Sequence, residues 1–169
     1  MNNIIFIHGL ESSGHGFKGN LFRKINPEIL TPDFTSFNPA ISLEALLKRR
    51  MSELEKILKN KTNWIIIGSS FGGLMASIFT LQNPNEVKLL ILLAPFLNTT
   101  LLKVRQYSSV DVPVIIYHGK NDNIVSPEKS QEIAKLLFTN LTHKLVEDDH
   151  QLHKTVSKLD WNSIFSFDK

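Results

Sequence analysis

The sequence predicts an α/β protein in which helices cover both faces of a doubly wound, mostly parallel β-sheet, giving three layers. Short apolar runs of strand length alternate along the 169-residue chain with longer segments of helical periodicity. The strand runs are almost continuously apolar, as expected for strands that are buried on both faces of a parallel sheet. We expect about six strands joined by right-handed crossovers.

Five segments are predicted to be strands, and a sixth is a weaker candidate. The first four are rich in Ile, Val and Leu, whereas the fifth contains a histidine and a lysine and is less apolar. The five are Ile4–Ile7, Trp64–Ile67, Val87–Leu93, Val114–Tyr117 and His143–Val146, and the weaker candidate is Glu28–Thr31.

Four helices are predicted between and after these strands. Residues 41–59 carry an apolar stripe at steps of three and four, and Ser42 can cap the start of this helix. Residues 71–82 follow the second strand directly, and residues 127–138 begin with a proline in the first turn. Residues 151–167 also carry apolar side chains at helical spacing.

Composition argues against several classes of protein. The formal net charge of +3 comes without a concentrated basic stripe, so nucleic-acid binding is disfavoured. The absence of cysteine excludes disulfides, thiolate zinc sites and a cysteine nucleophile. No apolar run approaches the roughly 18 residues of a membrane span, and no signal-peptide pattern is present. We expect a single domain over residues 1–169, located in the cytoplasm.

The segment "IIIGSSFGG" contains the pattern G-x-S-x-G, formed by Gly68, Ser70 and Gly72. Ser70 falls between a predicted strand and a predicted helix, where a sharp elbow would expose its hydroxyl and the flanking glycines would make room for it. The alternative is a glycine-rich turn with an ordinary surface serine. The position between strand and helix favours a nucleophile, because chemistry gathers at the carboxyl ends of parallel strands.

A serine nucleophile needs a neighbouring base, and His150 is the preferred candidate among six histidines. It follows the last predicted strand and so belongs to a loop at the same edge of the sheet. His153 is the second candidate, since it falls within or beside the final helix. Both could also be ordinary surface histidines.

The base in turn needs a carboxylate, and Asp122 is the preferred candidate because it follows the fourth predicted strand. Its loop is rich in turn residues, so a turn-forming aspartate is the alternative. Asp148 and Asp149 are closer to His150 in sequence but rank lower, because adjacent residues rarely reach the required side-chain geometry. The chain order is then Ser70, Asp122, His150.

Four segments, "FIHGLESSG", "GSSFGG", "YHGKNDNIVSPEKS" and "EDDHQL", together resemble the α/β-hydrolase superfamily. They are similar to its His-Gly loop, its nucleophile elbow, its acid loop and its histidine loop, and they span residues 4–152. Within that superfamily, the chain looks like a short bacterial esterase-type member without a large lid. The fold implied is therefore a reduced α/β-hydrolase fold.

The resemblance implies a catalytic triad of Ser70, Asp122 and His150, and an oxyanion hole formed by the backbone N–H groups of Leu10 and Phe71. The implied reaction transfers the acyl group of a small or short-acyl ester or thioester to water, without metal or organic cofactor. The alternatives are hydrolysis of an amide or carbon–carbon bond by the same triad, and a non-catalytic binding protein with this fold. The expected partner is a small-molecule substrate, and the oligomeric state is left open.

The substrate pocket is expected to involve Glu11 and Ser12 after the first strand and Phe96 and Leu97 after the third. Glu11 would either contact a polar group of the substrate or remain solvated. Residues 95–111 can hold a short helix or a small cap but not a lid domain, so no large cap domain is expected. This segment would either form an apolar flap over the site or simply pack on the core.

Overall fold

A computed structural model of the chain describes residues 3–166 and contains one five-stranded sheet. All neighbouring strands are parallel, and their spatial order is β1-β2-β3-β4-β5. The predicted parallel α/β class is therefore confirmed. The strands are β1 (Asn3–Ile7), β2 (Trp64–Ser69), β3 (Val87–Leu93), β4 (Val114–Gly119) and β5 (Leu141–Val146).

The weaker sixth strand candidate is reduced to one bridged residue, so the described sheet has five strands rather than about six. Leu30 pairs with the outer edge of β1: its carbonyl accepts from the Phe6 N–H at 2.8 Å, and its N–H donates to the Ile4 carbonyl at 3.0 Å. Pro27 and Pro32 flank this residue and have no N–H with which to extend the pairing. Because the chain passes outside β1 here and then returns to form β2 on the other side of β1, the winding direction reverses at β1.

Helices cover both faces of the sheet, which confirms the three-layer arrangement. The second, third and fourth helices contribute to one apolar core, and the first, fifth and sixth contribute to the core on the opposite face. Among residues 3–166, no helix has both the length and the apolar character needed to cross a lipid bilayer. The helices are α1 (Phe17–Ile25), α2 (Leu43–Leu58), α3 (Phe71–Gln82), α4 (Pro127–Leu137), α5 (His153–Lys158) and α6 (Trp161–Phe165).

Two helical features differ from the sequence prediction. Helix α1 was not predicted, because its segment is rich in glycine and polar residues; it forms because Phe22 packs between Phe6 and Trp161, with ring centroids 5.1 and 4.8 Å away. The helix predicted over 151–167 is divided into α5 and α6, since Asp160 caps a new start by accepting from the Ser163 N–H. The last predicted residue of that helix lies outside the described residues.

The centre of the sheet is the most deeply buried part of the chain. Successive side chains of β2 point to opposite cores: Trp64 and Ile66 face one, and Ile65 and Ile67 face the other, all fully buried. Strand β2 therefore holds the chain that follows it in a fixed place. The segment 95–111 contributes one 3₁₀ turn, Val104–Gln106, and no cap domain.

Candidate active site

Ser70 lies at the junction of β2 and α3 in a strained backbone conformation, with φ 52° and ψ −114°. Positive φ at a non-glycine residue typically costs about 1–3 kcal/mol and persists only where the surroundings enforce it. Here the Ser70 N–H donates to the Leu93 carbonyl at 3.0 Å, and the Ser70 carbonyl accepts from the N–H groups of Gly73, Leu74 and Phe96. These four hydrogen bonds hold the elbow in place.

The glycines of the elbow are required by close backbone packing. A Cβ atom on Gly72 would lie 2.2 Å from the Ile7 carbonyl oxygen and 2.5 Å from that of His8. A Cβ atom on Gly68 would lie 2.8 Å from the Cβ of Ala76. Only glycine at these positions allows the start of α3 to contact both the end of β1 and β2, the strand that directly precedes the helix.

The structure brings the three predicted residues Ser70, His150 and Asp122 into one hydrogen-bonded chain. His150 Nε2 is 3.1 Å from Ser70 Oγ, and His150 Nδ1 is 2.7 Å from Asp122 Oδ2. Because a carboxylate can only accept, Nδ1 carries the proton and Nε2 is free to accept from the serine hydroxyl. The Asp122 side chain is fully buried, and that of His150 is 12% exposed.

The Asp122 carboxylate accepts four hydrogen bonds. Its Oδ1 accepts from the N–H groups of Ile124 and Val125 at 2.9 and 2.8 Å, and its Oδ2 accepts from His150 and from His118. Burial would raise the pKa of Asp122, but the hydrogen bonds from Val125, His150 and Ile124 outweigh it and hold the pKa below its ordinary value. This group is therefore ionised at neutral pH.

His118 is a second histidine bound to the acid, and sequence reasoning did not assign it a role. It is fully buried, and its Nε2 donates to Asp122 Oδ2 at 3.0 Å and to the Val125 carbonyl at 3.1 Å. Burial lowers the pKa of His118 despite the neighbouring carboxylate, so the ring is neutral. Its Nδ1 and the Nε2 of His143 have no hydrogen-bond partner among the described residues.

The lower-ranked candidates lie apart from this chain of hydrogen bonds. His153 stacks on Phe17, with ring centroids 4.0 Å apart. The carboxylate of Asp148 accepts from the backbone N–H and the hydroxyl of Thr155, both at 2.8 Å, and so joins the histidine loop to α5. Asp149 is exposed and accepts a local N–H within the same loop.

The two predicted oxyanion-hole residues, Leu10 and Phe71, line the same cavity as Ser70. Phe71 is the first residue of α3, so its N–H has no partner within the helix. The N–H of Leu10 donates to no other group of residues 3–166. Both donors are therefore free to bind a group beside Ser70.

Arg50 binds the loop that contains Leu10, and sequence reasoning missed it. Its guanidinium, fully buried, donates to the carbonyls of Gly9 at 3.2 Å, Leu10 at 2.8 Å and Thr35 at 2.8 Å. The guanidinium carbon also lies 5.5 Å from the centre of the Phe71 ring, within cation–π range. Arg50 thus contacts both segments that carry the candidate donors.

The Gly9–Leu10 peptide plane is set by two donors to its carbonyl. His8 Nδ1 donates to the Gly9 oxygen at 2.8 Å while His8 Nε2 accepts from the backbone N–H of Phe34, which fixes the neutral tautomer. Arg50 is the second donor. In a trans peptide the N–H points opposite to the carbonyl, so these bonds also direct the Leu10 N–H.

A cavity of about 490 Å³ opens at Ser70, a size typical of small-molecule sites. Of the predicted pocket residues, Glu11, Ser12 and Phe96 line it. Leu97 does not: it is 1% exposed and packs in the core with the other apolar side chains of its segment. The described residues include no cluster of three or more His, Cys, Asp or Glu side chains suited to a metal ion.

A sequence profile of the alpha/beta hydrolase family matches residues 39–153, which is more than half of the 169-residue chain. The chain therefore belongs to the α/β hydrolase family. A comparison with curated proteins finds no match to this sequence.

Solved structures of α/β hydrolases share this fold over most of their length. A protein of the α/β hydrolase superfamily from Xanthomonas campestris pv. campestris has a TM-score of 0.77 at 23% identity, covering 92% of this chain and 91% of its own. Mouse alpha/beta hydrolase domain-containing protein 10 has a TM-score of 0.72 at 19% identity, covering 97% and 90%. The Bacillus cereus carboxylesterase has a TM-score of 0.72 at 20% identity, covering 96% and 88%. At these identities the likeness concerns the fold alone.

Proposed function

We propose that this α/β hydrolase is a serine hydrolase that cleaves carboxylic esters or thioesters. The observation that carries the proposal is the continuous hydrogen-bonded chain from Ser70 Oγ through His150 to the buried Asp122 carboxylate. A histidine held in this tautomer can take the serine proton as the hydroxyl attacks a carbonyl carbon.

The steps follow from the positions of these groups. Ser70 Oγ bonds to the acyl carbon while its proton passes to His150 Nε2, and the carbonyl oxygen becomes an oxyanion. The imidazolium then gives the proton to the departing alcohol or thiol, which leaves an acyl-serine. Water adds in the same way, with His150 again as the base, and the acid is released as Ser70 is restored.

The N–H groups of Leu10 and Phe71 are the proposed donors to the oxyanion. Loss of one such donor typically costs about 2.7–4 kcal/mol of transition-state stabilisation. The peptide that carries the Leu10 N–H is bound by Arg50 and His8, so the donor is directed before substrate arrives.

The cavity supports a small or short-acyl substrate, because about 490 Å³ is available and segment 95–111 adds no cap domain. The structural likeness to a carboxylesterase is compatible with ester cleavage. Amide or carbon–carbon bond hydrolysis by the same residues is the second candidate reaction. A cytoplasmic location and a single domain over residues 1–169 stay predictions.

Covalent labelling with a fluorophosphonate tests the proposal, since it requires an activated serine. We expect the wild type to label, Ser70→Ala not to label, and His150→Ala to label much more slowly. Ser69→Ala is the matched control, because Ser69 lines the same cavity but does not contact His150. Hydrolysis of a p-nitrophenyl acyl series would then define the acyl preference.

A wild-type protein that neither labels nor hydrolyses any ester of the series would contradict the proposal. A non-catalytic binding protein with this fold would then be the better account. Labelling that persists in Ser70→Ala would instead assign the nucleophile to another residue.

A further inference from the structure

The wall of the active-site cavity carries one buried lysine whose charge the proposed chemistry does not use. Lys18, on α1, lines the cavity together with Ser70 and His150 and is the only lysine or arginine among its described lining residues. Much of the remaining wall is apolar, including Phe6, Phe17, Leu43 and Phe96. A single cation in such a wall is a strong electrostatic feature.

The Lys18 ammonium has no partner among the residues that the structure describes. The residue is 9% exposed, and its Nζ makes no hydrogen bond or ion pair with any of residues 3–166. Buried charges are ordinarily paired, because removing them from water is costly. Three N–H donors therefore remain available beside the cavity.

The carboxylates whose charges act on Lys18 are those of Asp148 and Asp149, and both accept hydrogen bonds from other groups. Asp148 accepts from the Asp149 N–H and from both donors of Thr155, and Asp149 accepts from the Gln151 N–H. Their negative charges favour the charged form of Lys18, but neither carboxylate bonds to the ammonium. The other titratable groups of the cavity are Glu11, His150 and His153.

We propose that Lys18 binds a carboxylate carried by the substrate, so that the enzyme prefers esters or thioesters with a negatively charged group. This inference rests on the proposed hydrolase function and specifies its substrate class. Lys18 is then a specificity-determining residue: it binds an anion away from the scissile carbonyl, and the apolar wall contacts the carbon chain between the two.

The charge state of Lys18 adds a pH signature. Burial lowers the pKa of Lys18 from 10.5 to about 8, although Asp148 and Asp149 oppose the shift. The side chain is therefore charged at neutral pH and becomes neutral above about pH 8. A preference for anionic over neutral esters should be full at pH 7 and should decrease as the pH rises through about 8.

Two matched pairs of esters test the proposal. In the first pair, 4-acetoxybenzoate and 4-acetoxybenzamide, the charge is on the alcohol half; in the second, monoethyl adipate and its primary amide, it is on the acyl half. The measured quantity is the ratio of kcat/KM for the anion to that for the amide. A pH effect on the hydrolytic step that is common to both members of a pair cancels in the ratio.

We expect the wild type to favour the anion by about tenfold to one hundredfold in one of the two pairs, which identifies the half that Lys18 contacts. Lys18→Met should bring that ratio close to one, and Lys18→Arg should retain most of it. Lys24→Met, an exposed lysine on the same helix, is the matched control and should keep the wild-type ratio. General destabilisation would lower both rates without changing their ratio.

A wild-type ratio of one or less in both pairs, or a ratio unchanged in Lys18→Met, would overturn the inference. Calorimetric titration of Ser70→Ala with 4-acetoxybenzoate and 4-acetoxybenzamide separates this failure from failure of the hydrolase function. If no ester is hydrolysed and Ser70 does not label, the hydrolase proposal is lost. Anion-selective binding that requires Lys18 would then still support the anion site, and its absence would remove that site too.

Discussion

Ser70 follows β2 in the interior of the sheet, whereas His150 follows β5, the strand at its edge. Every residue of β2 is buried, whereas every residue of β5 is either half-buried or exposed. The β1–β2 side of the site is held by close backbone packing and by Arg50. The β4–β5 side is held by hydrogen bonds between loops, above all those of Asp122.

The difference shows two ways of holding a residue of the proposed triad in place. Around Ser70 the constraint is steric, because fixed backbone carbonyls leave no space for a side chain at the glycines of the elbow. Around His150, position depends on polar partners, and the loop is joined to its neighbours by the Asp148 side chain and by the Asn121 N–H, which donates to the Asp148 carbonyl. We expect substitutions on the first side to disrupt folding and those on the second to loosen the site.

Gly72→Ala is expected to have the largest effect. The added methyl group would lie 2.2 Å from a backbone carbonyl of β1, and neither element can yield without moving the elbow. We expect the free energy of unfolding in urea to fall by about 3 kcal/mol or more, with loss of activity. Gly9→Ala is the control, because its Cβ would have no neighbour closer than 3.6 Å. Equal stability of the two variants would contradict the steric account.

Arg50→Met tests the other support of the β1–β2 side. It removes a donor from the carbonyls of Gly9, Leu10 and Thr35, of which that of Gly9 keeps His8 as a second donor, and the loss is offset in part by removal of a buried charge. We expect the free energy of unfolding to fall by about 2 kcal/mol and kcat to fall about tenfold with little change in KM, since the Leu10 N–H is a proposed donor to the oxyanion of the transition state. Arg49→Met, exposed on the same helix, should behave as wild type. An unchanged kcat in Arg50→Met would contradict the inference that Arg50 positions the Leu10 N–H.

His118→Gln tests the β4–β5 side through pH. Burial lowers the pKa of His118 below its ordinary value of 6.5, so between these two pKa values the unfolded chain binds a proton that the folded chain does not. Stability therefore falls as the pH drops below 6.5, by up to about 1.4 kcal/mol per pH unit for this group. Glutamine keeps an N–H donor for Asp122 but cannot titrate. The free energy of unfolding of His118→Gln, measured in urea between pH 7.5 and 5, should therefore decline less steeply than that of the wild type. Identical slopes would exclude His118 as the cause.

Asp148→Ala is expected to have the smallest effect. It removes the acceptor for the Thr155 N–H near the start of α5, comparable to loss of a helix cap, which costs about 1 kcal/mol. We expect that loss of stability and a several-fold decrease in kcat/KM, as the His150 loop becomes less ordered. Asp149→Ala, exposed and without the Thr155 contact, should change stability by less than about 0.5 kcal/mol. A larger loss of stability in Asp149→Ala than in Asp148→Ala would contradict the role assigned to Asp148.

The same contrast explains what the sequence could predict. The buried strands and the elbow have strong local signatures, namely apolar runs and glycines at fixed offsets. Strand β5 was predicted only over its last four residues, because an edge strand lacks the apolar run. The positions of the strand ends alone predict that Ser70, Asp122 and His150 lie together at the carboxyl ends of the parallel strands. The structure brings these three side chains together.

The supporting residues Arg50 and His118 could not be predicted, because their contacts form only in the folded chain. Arg50 reaches carbonyls some forty residues away, and His118 meets the acid only after its loop has folded. One signal was available: Arg50 falls between Leu47 and Leu54 on the apolar stripe of α2, where a charge needs an internal partner. Lys18, four residues before the buried Phe22, likewise falls on the buried face of α1, but its ammonium has no partner among residues 3–166.

Leu30 closes the outer edge of β1 with a single residue. It occupies the Phe6 N–H and the Ile4 carbonyl, and the prolines on either side cannot extend the ladder. An edge interrupted in this way does not serve as a template for a strand from another molecule. Within residues 3–166, edge-to-edge association of the folded protein is therefore left to β5, where the Lys144 ammonium, 5.3 Å from the centre of the Tyr117 ring, opposes it with a charge.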